Sequence, residues 1–595
     1  MRNVLFFSLV AACTLPAWVS AQTANAPSDP GDPPVRFDDN RTPTYAQVNA
    51  VLSELAHAHA ELHWMAIGYG DSGKPIYAAV LASGSGSKLT SPEDLAAFLA
   101  AHPKHMRLLV TNAIHPGEPC GVDASVDWIR ALLNDPEERR LLDGLVVAVV
   151  PHYNNDGALV RTTCSRANQD GPEYYGFRGN ARNLDLNRDF TKMDSRNSFA
   201  FVRLFQAMDP DVFIDTHTTN GADYTYSMTL ITTQPDKAGP LESFLRNEVN
   251  PALFASMAAQ GVPMSPYVST RGETPESGII GFLETPRYST GYAALFGTIG
   301  FVSEAHMLKP FPERVAATRA FLATTGRWMV EQNEDIRAAR ADFRRALEQS
   351  RELPLRWELN RNDSVPLPFT GYAAEYLPSE VSGQPRLRYN RDQVWQREVP
   401  YFNRYTPVAW SRVPEAYWIP GAWREVIERI AVQGIPMYRL PADSTALLEV
   451  TYIDGFTSPA RPYEGHHMNR VDSLHRTVQE VALYAGDVRI STDGPWKRYL
   501  VETLEPEAHD SFFVWNFFDS MLQQKEGYSG YVFEDTAAEL LERDVALRAA
   551  FERARAEHPE WATDGDAALR WVYRHSPYME ASANRYPVYR TPAQR

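Results

Sequence analysis

Cysteine is scarce in this chain, with three among 595 residues, too few for a disulfide framework to hold the fold together. Basic charge is short as well. Asp and Glu number 74 against 58 Lys and Arg, for a formal net charge of −16. A surplus of that sign argues against nucleic acid or an anionic membrane surface as the main partner. Past the N-terminal leader, no apolar run approaches the ~18–20 residues that a membrane span requires, so a soluble mature chain is expected. No repeat of fixed period is visible, which sets aside solenoid architectures.

What is present reads as ordinary globular protein: 44% apolar and 22% charged residues are neither a disordered nor a fibrous composition. The length exceeds what one core fills, and two or three domains are expected. Residues 1–21 read as a secretory signal peptide, with Arg2, an apolar stretch over 4–15 and the small-residue site Val19-Ser20-Ala21. The mature protein is then periplasmic or secreted. Val10-Ala11-Ala12-Cys13 has a lipobox-like form and supplies the competing reading, anchoring through Cys13. If Cys13 leaves with the leader, Cys120 and Cys164 remain in an oxidising compartment, where a bridge between them is open.

Residues 22–43 are rich in Pro, Asp and Asn and read as an extended leader to the fold. From 44 onward, helical patterns alternate with apolar runs at 107–115, 145–154, 212–217 and 298–306. A hairpin signal sits around Asp71-Ser72-Gly73-Lys74. Such alternation points to a mixed, largely parallel sheet with helices on both sides. One or two helices over 311–350 close this first domain, 44–350. A second domain, 351–595, begins where Pro, Asn and Asp accumulate, and is α+β or β-rich, with a helical pattern returning at 534–556.

The chemistry concentrates in the first domain. His115 and Glu118 lie where the run Leu108-Leu109-Val110-Thr111-Asn112-Ala113-Ile114 breaks into His-Pro-Gly-Glu; His217 and Glu304 end two further runs. All stand at the carboxyl ends of strand-like segments, where open α/β sheets place their sites. Two imidazoles and a carboxylate suit a catalytic zinc, and a carboxylate that is not a ligand can take a proton from water. Asn187-Arg188, flanked by Leu184, Leu186 and Phe190, offers a bidentate partner and a neutral donor for a carboxylate.

His115-x-x-Glu118, Asn187-Arg188, His217 and Glu304 occur in the order found in the zinc metallocarboxypeptidases. Over about residues 44–335 the chain resembles that family, which includes carboxypeptidases A and B and many exported bacterial relatives. The resemblance implies an α/β/α sandwich and one Zn2+ per chain, held by His115, Glu118 and His217. It also implies Glu304 as base and proton shuttle, Asn187 and Arg188 as receivers of the substrate's terminal carboxylate, and Asp185 as the residue orienting the first zinc histidine. Arg178 matches the arginine that polarises the scissile carbonyl, with Arg182 a close rival. Tyr288 is the candidate for the family's mobile tyrosine, with Tyr292 the other choice and Gly291 available to permit motion. Two departures stand out. Asn154-Asn155-Asp156-Gly157 replaces the usual Asn-Pro-Asp-Gly, and the stretch between His217 and Glu304 leaves the specificity pocket unassigned.

The implied activity is that of an exported zinc carboxypeptidase acting on peptides with a free C-terminus. The alternatives are a zinc amidase acting on murein peptides or acylated amino acids, and a non-catalytic peptide binder on the same fold. An intact Glu304 beside a full ligand set argues against the binder. In the second domain, Tyr463-Glu464-Gly465-His466-His467 invites a second metal but reads rather as polar surface. Trp515-Asn516-Phe517-Phe518, near Phe512 and Phe513, reads as core or as the lining of an inter-domain groove.

Overall fold

The computed structural model describes residues 40–592. The leader at 1–21, Cys13 within it, and residues 22–39 lie outside the described residues. Ten strands occupy the first part of the chain. They are β1 (Leu62–Tyr69), β2 (Pro75–Leu81), β3 (Met106–Thr111), β4 (Leu145–Val150), β5 (Val212–Thr219), β6 (Met228–Thr232), β7 (Met264–Pro266), the two-residue β8 (Ser269–Thr270) and β9 (Ile279–Ile280), and β10 (Ile299–His306). All but β8 and β9 form one sheet, ordered β1-β2-β4-β3-β5-β10-β6-β7.

Its four central members, β4-β3-β5-β10, run parallel, while β1, β2 and β6 join antiparallel. The centre is covered on both faces, which is why β4 reads Leu-Val-Val-Ala-Val-Val and is buried along its whole length. Alternation along β5 shows the two layers. Phe213 meets Phe201 and Phe205 of the helix Arg196–Met208. Thr216, an odd number of positions on, faces the helix Cys120–Asn134 on the opposite side. That approach is close enough to demand glycine, because a Cβ on Gly121 would stand 1.9 Å from the Thr216 hydroxyl. The expected α/β/α sandwich with a mixed, largely parallel sheet is therefore present.

After Ser350 the chain is sheet-rich. β11 (Glu352–Leu359) pairs with β14 (Tyr405–Arg412), and between them β12 (Val365–Pro378) and β13 (Pro385–Phe402) make a long hairpin. The end of β13 adds in parallel to β9 of the first part, Tyr401 opposite Ile279. Six further strands form a separate sheet, ordered β16-β19-β15-β20-β17-β18. They are β15 (Ala416–Ile419), β16 (Tyr438–Arg439), β17 (Ser444–Thr457), β18 (Arg470–Leu483), β19 (Val488–Ser491) and β20 (Tyr589–Thr591). One hydrophobic core continues through both parts, joining Leu108 and Phe213 with Leu355, Tyr417, Tyr499 and Phe512.

The helical pattern at 534–556 resolves into two helices, Gly530–Arg543 and Val545–Glu557, because the Asp544 carboxylate caps the second by accepting from the Ala546 and Leu547 amides. No bridge joins Cys120 to Cys164. Cys120 is buried at the start of its helix against Thr218 and Thr318, and Cys164 lies exposed beside Thr162, both as free thiols. No described helix is long and apolar enough to cross a membrane.

Candidate metal centre and active site

β5 and β10 bring His217 and Glu304 together by register, since the two residues are direct partners in the parallel pair and so emerge on one face. His115 arrives from the loop that follows β3. Ala113, two residues before it, is held at φ +52°, a left-handed backbone costing an alanine about 1–2 kcal/mol. The Ala113 carbonyl accepts from the Asn154 amide, which helps fix the bend that swings His115 over the sheet edge. Glu118 follows one tight turn later, its amide donating to the His115 carbonyl.

The three side chains converge. His115 Nδ1 lies 3.2 Å from Glu118 Oε1, and His217 Nδ1 lies 3.1 Å from Glu118 Oε2. One ligand atom from each falls within 4.8 Å of the others, and all three residues are buried. The far nitrogens are tied down by acids: His115 Nε2 to Asp185 Oδ1 and His217 Nε2 to Asp215 Oδ2, each at 2.9 Å. Both rings thus present Nδ1 to a common point, with Nε2 serving as the anchored donor, the tautomer a metal ligand requires. These residues fit a single zinc.

Electrostatics around the cluster are set by burial against charge. Burial pushes Glu118 up, but Arg166 and His115 more than reverse this and hold its carboxyl well below the usual range. The same competition, won by His115, Arg178 and Arg188, holds Asp185 ionised. Glu304 meets too little counter-charge: burial, opposed by His217 and reinforced by Glu118, Glu284 and Asp215, lifts it to about 8. A cation held by the cluster reverses that logic and favours the carboxylate.

The cleft holds about 260 Å³ and is walled by His115, Glu118, His217, Glu304, Arg178, Asn187, Arg188 and Tyr288, among others. The three metal-ligand candidates, Glu304, Arg178, Asn187, Arg188 and Tyr288 therefore open on one space, while Asp185, Arg182 and Tyr292 do not line it. Arg178 stands with Nη1 3.4 Å from His115 Nδ1, its Nε and Nη2 on Asp185. Its rival Arg182 turns away to the Asp194 carbonyl. Asn187 keeps a buried Oδ1 without a partner among the described residues. The Arg188 guanidinium lies over the Tyr288 ring, 4.6 Å from its centroid. Tyr292 is fully buried and donates to Gln433, so it lines no cleft. Gly291 does not free a moving tyrosine either: it sits inside the helix Ser289–Ala293, where a Cβ would come within 2.0 Å of the Thr285 carbonyl.

Three participants escaped the sequence reading. Asp215 carried a usable signal, since in Asp215-Thr216-His217 the outer pair shares one face of a strand. Arg166, whose Nη2 reaches Glu118 Oε1 at 2.9 Å, comes from a loop with no pattern to mark it. Glu284 lines the cleft with a buried carboxyl that accepts from Thr290, and burial raises its pKa. We expect Asp215→Asn to weaken zinc affinity by roughly 10–100-fold with the fold intact, as is usual for such anchoring acids. Competition against a graded chelator measures this, and unchanged affinity would mean His217 needs no anchor.

A buried His-Glu-His cluster with a further carboxylate beside it, at the carboxyl edge of a parallel sheet, defines a metal-dependent hydrolase domain. Residues 48–212 match the family model described as zinc carboxypeptidase, and over that segment the chain is similar to the zinc metallocarboxypeptidases. It is similar to carboxypeptidase 2 of Trichophyton equinum, 23% identical over 427 residues, covering 68% of this chain and 73% of the relative. A probable carboxypeptidase 2 of Trichophyton verrucosum is 22% identical over 512 residues, covering 82% and 87%. Among solved structures, a Pseudomonas aeruginosa metallo-carboxypeptidase in complex with (2-guanidinoethylmercapto)succinic acid superposes at TM-score 0.35 and 16% identity. That match covers 48% of this chain and 68% of the other. Carboxypeptidase A of Helicoverpa armigera gives 0.37 at 14%, covering 51% and 75%.

Proposed function

We propose that the protein is an exported carboxypeptidase that removes the last residue of a peptide, with residues 44–350 carrying the chemistry. The observation that carries this reading is the sharing of one cleft by the His115-Glu118-His217 cluster, Glu304, and the Asn187-Arg188 pair. The export reading rests on the leader pattern at 1–21.

His115, Glu118 and His217 hold zinc, which when bound supplies the Lewis acidity that makes water a nucleophile near neutral pH. Arg188 and Asn187 bind the terminal carboxylate of the peptide and so set its last amide bond against Glu304. Glu304 accepts a proton at its carboxylate from the attacking water, then returns it to the departing amine. The Arg178 guanidinium, 3.4 Å from the edge of the cluster, stands where charge develops on the carbonyl oxygen. Tyr288, stacked on Arg188, screens the bound carboxylate from water.

Arg188→Ala tests the exopeptidase assignment. A charge-assisted pair is worth roughly 1.5–3 kcal/mol, about ten- to a hundred-fold in binding. The variant should lose that much toward peptides with a free C-terminus and little toward their amides, which the wild type should already reject. Kinetics on matched free and amidated peptides decide the matter. Equal cleavage of both by the wild type, unchanged in the variant, would leave a zinc hydrolase without carboxypeptidase selectivity.

A further inference from the structure

The loop 463–467, which reads as polar surface from sequence, leaves Tyr463, Gly465 and His467 exposed and packs its other side against Arg188, a residue of the cleft wall. Glu464 and Gly465 occupy consecutive left-handed positions, φ +50° and +81°, the backbone of a tight hairpin turn. Tyr463 and His466 close it by exchanging backbone bonds of 2.7 and 3.0 Å. For Glu464 that conformation costs about 1–2 kcal/mol, and its carboxylate is thereby brought to the Asp185 amide at 2.7 Å. His466 Nε2 meets Asp194 at 2.7 Å. Beneath the loop lies Trp515, fully buried, with the Tyr463 ring parallel to it and the Arg287 guanidinium over it at 4.9 Å.

This loop reaches Arg188. The Tyr463 hydroxyl accepts from Arg188 Nε at 2.7 Å, while Nη1 donates to the Asn187 carbonyl at 2.8 Å. With one face stacked on Tyr288, the guanidinium is fixed in plane and tilt. An arginine held this way loses less rotamer freedom when it grips a carboxylate. Arg188's neighbour across the turn, Asp185, is gripped from the same loop by Glu464, so one segment steadies both the clamp and the anchor of His115.

We propose that the C-terminal part of the chain completes the recognition of the substrate's carboxylate, with Tyr463 as the residue that positions Arg188. The proposal rests on the reading of Arg188 as the carboxylate clamp. It gives the second part of the chain a task in substrate selection, and it involves no second metal: His466 is spent on Asp194 and His467 on the Pro459 carbonyl.

Tyr463→Phe removes only the hydroxyl and keeps the ring on Trp515. The probes are an acylated dipeptide with a free carboxylate and its C-terminal amide, assayed on full-length zinc-loaded enzyme. We expect KM for the free dipeptide to rise about tenfold, in keeping with one hydrogen bond to a charged group, with kcat held within about twofold. Zinc content and melting temperature should match the wild type, and the slow cleavage of the amide should not change. Adding Tyr463→Phe to Arg188→Ala should raise KM no further, because the hydroxyl acts through that guanidinium. An unchanged KM in the single variant overturns the proposal, as does a loss shared equally by acid and amide or a fully additive double variant. The two levels separate cleanly. If Arg188→Ala raises KM and Tyr463→Phe does not, only the role of Tyr463 falls. If Arg188→Ala itself leaves KM unchanged, the clamp reading falls and takes this one with it.

Discussion

Glu304→Gln should purify with its zinc and turn over peptide at least 10²–10⁴-fold more slowly, the usual range for loss of a general base. The loss should reach the upper end or beyond if, as proposed above, the same carboxyl also returns the proton to the leaving amine. The substitution keeps shape and volume, so β10 can hold its register, with position 304 opposite His217. Glu304 is no member of the metal cluster, which is why metal should stay. What goes is the ability to accept a proton: an amide in that place offers none at neutral pH. Elemental analysis together with single-turnover kinetics separates these effects. Near-normal hydrolysis of any accepted substrate would remove Glu304 from the reaction.

His217→Ala should lose both metal and activity. Two ligands cannot close a zinc site that needs three protein donors and an open position. The imidazole also answers two buried acids at once, Glu118 through Nδ1 and Asp215 through Nε2. Its removal leaves the Asp215 carboxylate with Thr111 alone among its side-chain partners, and opens a gap at the sheet edge. Breaking a buried charged pair this way costs roughly 3–5 kcal/mol, so a lower melting temperature should accompany the empty site. Metal content read beside the melt distinguishes the outcomes. Full zinc in a stable variant would strike His217 from the ligand set.

Much of this site was legible because its residues sit where pattern is strongest. Apolar runs ending in His115, His217 and Glu304 mark strands and their carboxyl ends together, and the α/β/α architecture follows from the same runs. Asp185, 70 positions from the His115 it anchors, was named through the family resemblance and not through any pattern of spacing. What stayed hidden depends on contacts between residues far apart in the chain. Arg166 meets Glu118 across 48 positions and Tyr463 meets Arg188 across 275, and no periodicity encodes either. The two thiols illustrate the converse: proximity in a list of cysteines carries no distance, and Cys120 faces a packed interior that Cys164 never enters. Gly291 was read as freedom to move when its hydrogen side chain serves close packing.

The junction of β13 with β9 is one of several places where the two parts of the chain meet. Arg287, one residue before Tyr288, is secured at both its backbone amide and its side chain by Asp510, so the segment that brings Tyr288 to the cleft leans on sequence more than two hundred positions downstream. Arg188 and Arg287 lie on the same stretch as the metal cluster, while Tyr463 and Asp510, which hold them, come from the distal stretch. The first sheet and its cleft therefore depend on the distal stretch for two of the contacts that hold their arginines in place.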